Sequence, residues 1–412
     1  MEISALTAIS LAFLFSFLIS ELAHHFKYPR VLGQIVAGAI IGLPFFRGVI
    51  TGEAMADISF MSELGVIFLF LVIGMELNLE VIKRERVRST IIGVAGIVMP
   101  LLCGYAVGQL LGYTNFTSLV IGVCLAISSE TTNTQVFMEM GFANRRLPKI
   151  LFGAAMIDDL FAILFLTFMI PVLQGDVQEV ASIPVKIIGF LAVIWGLIKL
   201  MPHLVDHIER DQSNVAQVSM MVLFGLLVAV LSIELGLGEM IGSFLAGIII
   251  QVSLREECKE TGKRAIAEHE RKMGIFKQNV EILKVTTLSF IVPFFFINMG
   301  LQIDLVGISE HIPVVIAILI AGIVGKLSGA FLVRSWTQLS IPQTWIVGWG
   351  MNSRGTIELV IAQLAFSNGI IDSAIYGGLV VMVLTTTIMF PFFLKRLCKK
   401  HPDAITSLEP LN

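Results

Sequence analysis

Long apolar segments, separated by mostly short loops, run through almost the whole chain. One helix needs about 20 apolar residues to cross the core of a bilayer, and thirteen segments come close to that length. In lipid, only helices and closed barrels satisfy their backbone hydrogen bonds, and the alternation of barrel strands is absent. The chain is therefore predicted to be an all-α, polytopic membrane protein with about 13 transmembrane helices. By approximate boundaries the segments are 4–23, 30–46, 59–77, 89–112, 115–140, 149–173, 183–201, 215–234, 236–253, 283–303, 312–334, 342–367 and 371–395.

The composition supports one membrane-embedded domain. Of the 412 residues, 56% are hydrophobic and only 14% are charged, which excludes a soluble domain with one buried core. The net charge of −3 does not indicate nucleic-acid binding, and the four cysteines have neither disulfide nor metal-ligand spacing. We predict one transmembrane domain over residues 1–400, a long charged loop over Arg255–Lys284 and a short cytoplasmic tail over residues 401–412.

Lysine and arginine residues mark one side of the membrane. They are concentrated in alternate loops, above all in residues 255–284 and 395–400, whereas the opposite loops carry little beyond Arg47 and Lys186. By the positive-inside rule, the N-terminus lies outside and the C-terminus in the cytoplasm. The first segment lacks a basic n-region and a small-residue cleavage site, so we expect it to remain as a span.

Two adjacent acids, Asp158 and Asp159, interrupt the sixth apolar segment. They lie about ten residues, or roughly 15 Å of helix, beyond Pro148, which places them close to the midplane of a bilayer. One ionisable residue at that depth already costs several kcal/mol, and two cost more. The pair is therefore predicted to be part of a functional site.

Five other ionisable residues lie within or near the same depth. Such residues in membrane spans usually face the bundle interior, pair with one another and mark an ion or substrate pathway. We therefore expect them to support the site of the aspartates. They are Lys326 in the eleventh segment, Glu130 in the fifth, Arg354 and Glu358 in the twelfth, and Glu76 near the cytoplasmic end of the third.

Polar runs interrupt the fifth and twelfth segments at residues 128–134 and 350–356. Their Ser, Thr, Asn and Gly residues loosen a helix, and unwound backbone at this depth must be buried in protein or line a cavity. Two such segments in corresponding positions indicate inverted repeats with two broken, crossing helices around a transport site. Glu130 and Arg354 are suited to compensate the partial charges of the half-helix ends. The other supporting residues predicted from these runs are Ser129, Thr131, Thr132, Asn352 and Ser353.

Each of these features also has a purely structural interpretation. Polar side chains such as Thr131 and Asn133 often only hydrogen-bond helices together. Glu76 can simply reach the membrane interface, and Lys326 can form an ion pair with no part in transport. An intramembrane aspartyl protease is excluded, because its two carboxylates must face one substrate and neighbours in sequence do not face each other on a helix. We therefore do not expect an enzyme.

Several stretches of the chain resemble the monovalent cation:proton antiporter-2 family, which contains antiporters of the sodium/proton type. The resemblance covers nearly the whole length and rests on the order and spacing of the stretches. Family members carry an Asp-Asp or Asn-Asp pair on the segment that holds Asp158 and Asp159 here. The stretches are 28–34 with Gly38 and Gly42, 70–77, 242–247, 294–305 and 353–359.

The resemblance implies a role for the charged residues. Asp159 is then the carboxylate that binds the cation and the proton, and Asp158 is the partner of Lys326, a combination that accompanies electrogenic exchange in the family. Residues 353–359 are most similar to the cation/proton exchanger version of the motif, and the departures at Ser353 and Thr356 leave ion selectivity open. Glu130 stands where relatives have Asp, Ser or Thr, which leaves its role open.

The sequence thus predicts a secondary active transporter that exchanges a monovalent cation, with Na+ favoured, for protons in an electrogenic cycle. The alternatives are K+/H+ exchange and electroneutral Na+/H+ exchange; a cation channel is disfavoured because no filter-like repeat is present. Besides the transported Na+ or K+ and protons, no cofactor is expected. The resemblance implies a homodimer, and the lipid bilayer is expected to be a prokaryotic inner membrane.

Overall fold

The computed structural model describes residues 5–26, 28–43, 52–76, 86–128, 133, 136–138, 140–142, 145–173, 189, 196, 214–235, 238–256, 263–303 and 310–406. These residues form helices and the turns between them, and no strand occurs among them. The all-α prediction is therefore confirmed for this part of the chain. The predicted segment 183–201 lies outside it, apart from two isolated residues. The division into one domain over residues 1–400 and a tail stays a prediction.

Backbone contacts divide the chain into two compact units. Unit 1 comprises residues 1–21, 33–77 and 166–301, and unit 2 comprises residues 22–32, 78–165 and 302–412. The helices of unit 1, some of which extend past its limits, are α1 (Ala5–His25), α2 (Arg30–Ile41), α3 (Gly52–Glu76), α7 (Asn214–Glu234), α8 (Glu239–Glu256), α9 (Lys263–Thr286) and α10 (Val292–Leu301). Those of unit 2 are α4 (Arg86–Leu110), α5 (Asn115–Ala126), α6 (Arg146–Leu173), α11 (Ile312–Leu332), α12 (Arg334–Thr337), α13 (Ile341–Gly350), α14 (Thr356–Ser367), α15 (Ser373–Lys400) and α16 (Pro402–Thr406).

Many of these helices are suited to a membrane. Seven of them are long and apolar enough to cross one, and four further apolar helices are shorter, counted over the described residues only. Helix α11 shows the pattern that lipid favours, since Ile316, Ile320 and Val324 are exposed while Gly325 and Lys326 are buried. An apolar outer face and a small or polar inner face are typical of a helix in a membrane bundle.

Unit 1 is built around α3, which packs against α8 and α10, while α7 packs against α8 and α9. A short π-helical turn, Thr287–Ile291, joins α9 to α10. Some of these helices approach each other very closely: a Cβ atom built on Gly38 would lie 2.2 Å from the carbonyl oxygen of Ile297. Only glycine permits this backbone-to-backbone contact.

Unit 2 is built around α4 and α11, which pack against each other. Helix α5 packs against α4, α13 and α15 pack against α11, and α14 packs against α5 and α15. The ends of these helices follow the local sequence. Ser340 and Gln343 form a capping box at the start of α13, and the side chain of Asp372 accepts from the backbone N–H of Ile375 at the start of α15.

The long charged loop predicted over Arg255–Lys284 is wrong. Helix α8 extends to Glu256, and α9 occupies Lys263–Thr286. The composition of this stretch shows that it is too polar for lipid, but its many Glu, Lys, Arg and Ala residues are also good helix formers. Polarity excluded a span there without excluding a helix.

Candidate functional site

The two predicted aspartates lie side by side within the continuous helix α6, where they are largely removed from solvent. Asp158 is 0% exposed and Asp159 is 8% exposed. Consecutive residues on a helix point about 100° apart, so the two carboxyl groups of the pair lie on different parts of the helix surface. Burying two adjacent carboxylates costs free energy unless nearby groups stabilise them, so the groups around the pair indicate how it is stabilised.

Lys326 on α11 is the direct partner of Asp158. Its Nζ lies 2.9 Å from Asp158 Oδ2, and both side chains are fully buried. The same ammonium group donates to the carbonyl oxygen of Ala126, the last residue of α5. The other carboxyl oxygen, Asp158 Oδ1, has no hydrogen-bond partner, within the part of the chain that the structure describes.

The chain leaves the helical conformation between α13 and α14, where residues 351–355 form a turn and an irregular stretch. Side chains of this stretch bind the backbone just before it: Asn352 Nδ2 donates to the carbonyl of Gly348 at 2.9 Å, and Ser353 Oγ donates to that of Gly350 at 2.9 Å. Such local bonds compete with the helical ladder. We call residues 351–355 the second break.

Helix α5 ends at Ala126, and Ile127 has an extended conformation with φ −86° and ψ 142°. The chain therefore leaves the helix just before the polar run 128–134, and of the residues that follow, Asn133 is again helical. We call Ile127 and Ser128, the two described residues that follow α5, the first break. The predicted site residues Ser129, Glu130, Thr131 and Thr132 lie outside the described residues.

Ser128 of the first break and the helical residue Asn133 both contact the second break. Asn133 Nδ2 donates to the carbonyl oxygen of Gly350 at 2.9 Å and to Ser353 Oγ at 2.7 Å. Ser128 Oγ lies 2.7 Å from Asp158 Oδ2 and 2.9 Å from the carbonyl oxygen of Met351. Because a hydroxyl group has one proton, Ser128 donates to only one of these two acceptors at a time.

Arg354, at the second break, binds the end of α5. Its Nη1 donates to the carbonyl oxygens of Leu125 at 2.7 Å and Ile127 at 2.9 Å, and its Nη2 donates to that of Gly322 at 3.2 Å. With Lys326 on the carbonyl of Ala126, three successive carbonyls at the end of α5 face two cations. Positive groups are favoured at a helix C-terminus, which carries a partial negative charge.

Glu358 lies in the first turn of α14 and is fully buried. Its Oε2 is 3.7 Å from Arg354 Nη1, which is an ion-pair distance but longer than a hydrogen bond. The remaining predicted residue, Glu76, is the last residue of α3, and its side chain lies outside the described part.

Unit 2 therefore brings together Asp158, Lys326, Asn352, Ser353 and Arg354, and Asp159 adjoins Asp158 on α6. The predicted site residues did not include Ser128, although it is the first residue of the polar run, or Asn133. Both residues contact the second break. The sequence signal that could have identified Ser128 is its position as the first residue of the polar run. No sequence signal indicated that the backbone carbonyls of Leu125, Ala126 and Ile127 accept hydrogen bonds from Arg354 and Lys326.

The chemistry of this arrangement suits small hard cations and protons. Carboxylate, hydroxyl and carbonyl oxygens are the ligands that such cations prefer, and a carboxyl group also binds a proton. No cluster of three His, Cys, Asp or Glu residues that could hold a resident metal ion occurs among the described residues. A monovalent cation at this site would be cargo rather than a cofactor.

Comparisons with known proteins agree with this fold. A family model described as "Sodium/hydrogen exchanger, transmembrane" matches residues 9–400. The Na(+)/H(+) antiporter of Enterococcus hirae is 27% identical over 385 residues, which cover 92% of this chain and 94% of that protein. The Na(+)/H(+)-K(+) antiporter GerN of Bacillus cereus is 26% identical over 398 residues, or 96% of each chain. The structure of the sodium proton antiporter MjNhaP1 of Methanocaldococcus jannaschii at pH 8 covers 96% of both chains, with a TM-score of 0.67 and 16% identity.

Proposed function

The chain belongs to the sodium/hydrogen exchanger family, whose model matches residues 9–400, and on this premise we propose that it exchanges a monovalent cation, with Na+ favoured, for protons across a membrane. The homologues at 26–27% identity are antiporters by name and match more than nine tenths of the chain. The observation that carries the proposal at the level of residues is the buried Asp158–Lys326 pair, with Nζ and Oδ2 2.9 Å apart, beside two contacting breaks.

The proposed cycle is a competition between cation and protons for the carboxylates. Asp159 binds either a proton or the cation, and oxygens of the breaks complete the cation's coordination. When the cation arrives, Asp158 turns from Lys326 toward it, and Lys326 loses the partner that stabilises its charge. Lys326 then releases its proton, so that two protons leave for one cation.

Such a cycle is electrogenic. It moves one net charge per turn, which couples it to the membrane potential by about 2.3 kcal/mol per 100 mV. Alternating access would come from the motion of one bundle of helices relative to another around the site. The supporting residues Ser129, Glu130, Thr131, Thr132 and Glu76 belong to this proposal on sequence grounds alone.

A second candidate is exchange that includes K+. It is favoured by one observation, the similarity to GerN, whose name includes K+ as well as Na+. Both ions use oxygen ligands and differ in the cavity geometry they require. An electroneutral cycle, in which Lys326 keeps its proton, is the third possibility, and a channel the last.

The finer assignments are part of the same proposal. From the Asp158–Asp159 pair and Lys326 we infer that the chain is an Asp-Asp member of the antiporter-2 branch. We expect a homodimer in a prokaryotic inner membrane, with the N-terminus outside and the C-terminus in the cytoplasm, as the distribution of Lys and Arg indicates.

The test is proton movement in proteoliposomes when Na+ or K+ is added, with and without a clamped membrane potential. We expect a cation-triggered proton flux that depends on the potential and is abolished by Asp159→Asn, while the variant remains folded. The matched control is Asp57→Asn, because Asp57 is an exposed acid on α3. Cation flux without protons would replace the antiporter by a channel, and substantial exchange by Asp159→Asn would remove Asp159 from the site.

A further inference from the structure

Glu358 is a buried acid that the proposed cycle does not use. It is 0% exposed, and neither of its carboxyl oxygens has a hydrogen-bond partner among the described residues. A glutamate that only holds helices together would do so through hydrogen bonds, and Glu358 makes none with the part of the chain that the structure describes. Its burial therefore calls for another explanation.

In the nearest cation, Arg354, the two terminal nitrogens donate to backbone carbonyls, and Nε has no hydrogen-bond partner among the described residues. Both protons of Arg354 Nη1 are directed to the carbonyls of Leu125 and Ile127, and Nη2 donates to that of Gly322. The guanidinium thus lies 3.7 Å from Glu358 without donating to it. Its charge is shared among three carbonyl oxygens, of which those of Leu125 and Ile127 lie at the C-terminal end of α5.

The two ionisation states of Glu358 depend differently on Arg354. A buried carboxylate without hydrogen bonds loses its hydration and gains only the Coulomb attraction of nearby cations in return, whereas the neutral acid loses far less. The first turn of α14 favours negative charge, but only as a modest effect. A carboxylate would therefore be stabilised only if Arg354 left the carbonyls and formed a direct, charge-assisted hydrogen bond with it.

We propose that Glu358 is a second proton-binding site, separate from the two aspartates. It holds a proton while Arg354 is bound to the carbonyls of α5, and it releases that proton when the guanidinium turns toward it. Proton loss at Glu358 then removes the contact between the second break and the end of α5. The link to transport rests on the proposed function, whereas the binding of the proton does not.

The groups that surround Glu358 are consistent with this role. The ionisable groups that act on it are Arg354 and Lys326, and on α5 it faces the thiol of Cys124. Helix α15, which also packs against α14, contributes Tyr376, whose hydroxyl donates to Gln363 further along α14. Arg354 is thus the cation whose displacement would change the charge of Glu358 most.

The first experiment is infrared spectroscopy of the wild-type protein and of Glu358→Gln in lipid. We expect the wild type at neutral pH to show a component of the carbonyl stretching band of protonated carboxyl groups that is absent from Glu358→Gln and is lost from the wild type at alkaline pH. Glu310→Gln is the matched control, because Glu310 is an exposed acid of the same unit, and it should leave the band unchanged. Identical spectra for the wild type and Glu358→Gln would overturn the proposal.

If Glu358→Gln does not fold, Glu358→Asp replaces it. This variant keeps a carboxyl group but moves it, so the band should shift in frequency; an unshifted band would assign it to another acid and refute the proton at Glu358.

Transport supplies the second measurement. Wild-type exchange should decline at alkaline pH as Glu358 loses its proton, and Glu358→Gln, which cannot ionise, should remain active to a pH higher by about one unit. A decline at the same pH in both proteins would separate Glu358 from transport. Absence of any cation-driven proton flux in the wild type would instead refute the proposed function, while the infrared result would still decide whether Glu358 binds a proton.

Discussion

The interiors of the two units differ in what they bury. In unit 1 the buried polar side chains of the described residues are uncharged. One example is Ser62, whose hydroxyl accepts a hydrogen bond of 3.2 Å from the partly buried Asn298. All six buried charged side chains among the described residues lie in unit 2. They are Arg88, Asp158, Asp159, Lys326, Arg354 and Glu358.

Unit 1 is held together by close uncharged packing, whereas unit 2 also buries charged side chains. Close contacts such as that of Gly38 with Ile297 need no polar groups and gain dispersion energy from backbone proximity. Buried charges cost free energy unless they are paired. Unit 2 retains six buried charged side chains among the described residues, and their free-energy cost is not needed for helix packing. Such a cost is expected where a region binds ions.

The largest effect is expected from Lys326→Gln. The change leaves Asp158 buried without its cation, and breaking a buried pair by removing one partner costs about 3–5 kcal/mol. Thermal unfolding of the purified protein would show the loss, and we also expect exchange to become insensitive to the membrane potential. Lys277→Gln, which removes an exposed lysine of unit 1, should change stability little. Equal stability of the two variants would contradict the contrast between the units.

Ser128→Ala should have the next largest effect. It removes the hydroxyl that lies 2.7 Å from Asp158 Oδ2, and a hydrogen bond to a charged group contributes about 1.5–3 kcal/mol. Ser89→Ala is a matched control, because that buried hydroxyl donates only to the carbonyl of Ile150, at 3.1 Å, which contributes about 0.5–1.5 kcal/mol. A smaller loss for Ser128→Ala than for Ser89→Ala in thermal unfolding would mean that Ser128 does not serve the carboxylate.

Gly38→Ala tests the other side of the comparison. Its Cβ would lie 2.2 Å from a backbone oxygen that cannot move by itself, and overpacking of this kind costs about 1–3 kcal/mol. In Gly274→Ala, on α9, the new Cβ meets no atom within 4 Å, so the variant should be stabilised by up to about 1 kcal/mol. If both variants unfolded at the same temperature, close backbone packing would not hold unit 1 together.

The smallest effect is expected outside the buried interiors, at Tyr113 between α4 and α5. Its hydroxyl donates to Asp372 at 2.9 Å, and partial burial together with Asp372 raises the pKa of Tyr113 to about 12. Because this pKa is higher in the folded state, the stabilisation is present below about pH 10 and is lost as the pH rises to about 12.

Tyr113→Phe should therefore lower stability by no more than about 1 kcal/mol at neutral pH and flatten the alkaline decline of the melting temperature. An unchanged alkaline decline in this variant would show that the pair with Asp372 contributes nothing.

Several features of the fold could be predicted from the sequence. The length and spacing of the apolar segments predicted a helical membrane protein, because lipid permits few other structures. The polar runs at 128–134 and 350–356 predicted interruptions near the positions where α5 and α13 end. The charged stretch 255–284 was misjudged, because polarity indicates where a chain leaves lipid and not whether it remains helical.

The sequence by itself determined which residues are too costly to lie in a membrane without a reason: Asp158, Asp159, Lys326, Arg354 and Glu358. This follows from composition and depth, because an unpaired charge at mid-depth in a membrane is costly in any helical fold. Only the tertiary structure decided their partners. Arg354 binds carbonyls more than 200 positions away in sequence, Ser128 lies between Asp158 and Met351, and Glu358 has no hydrogen-bond donor among the described residues. Such partners depend on how helices pack, and a linear pattern of residue types does not contain those distances.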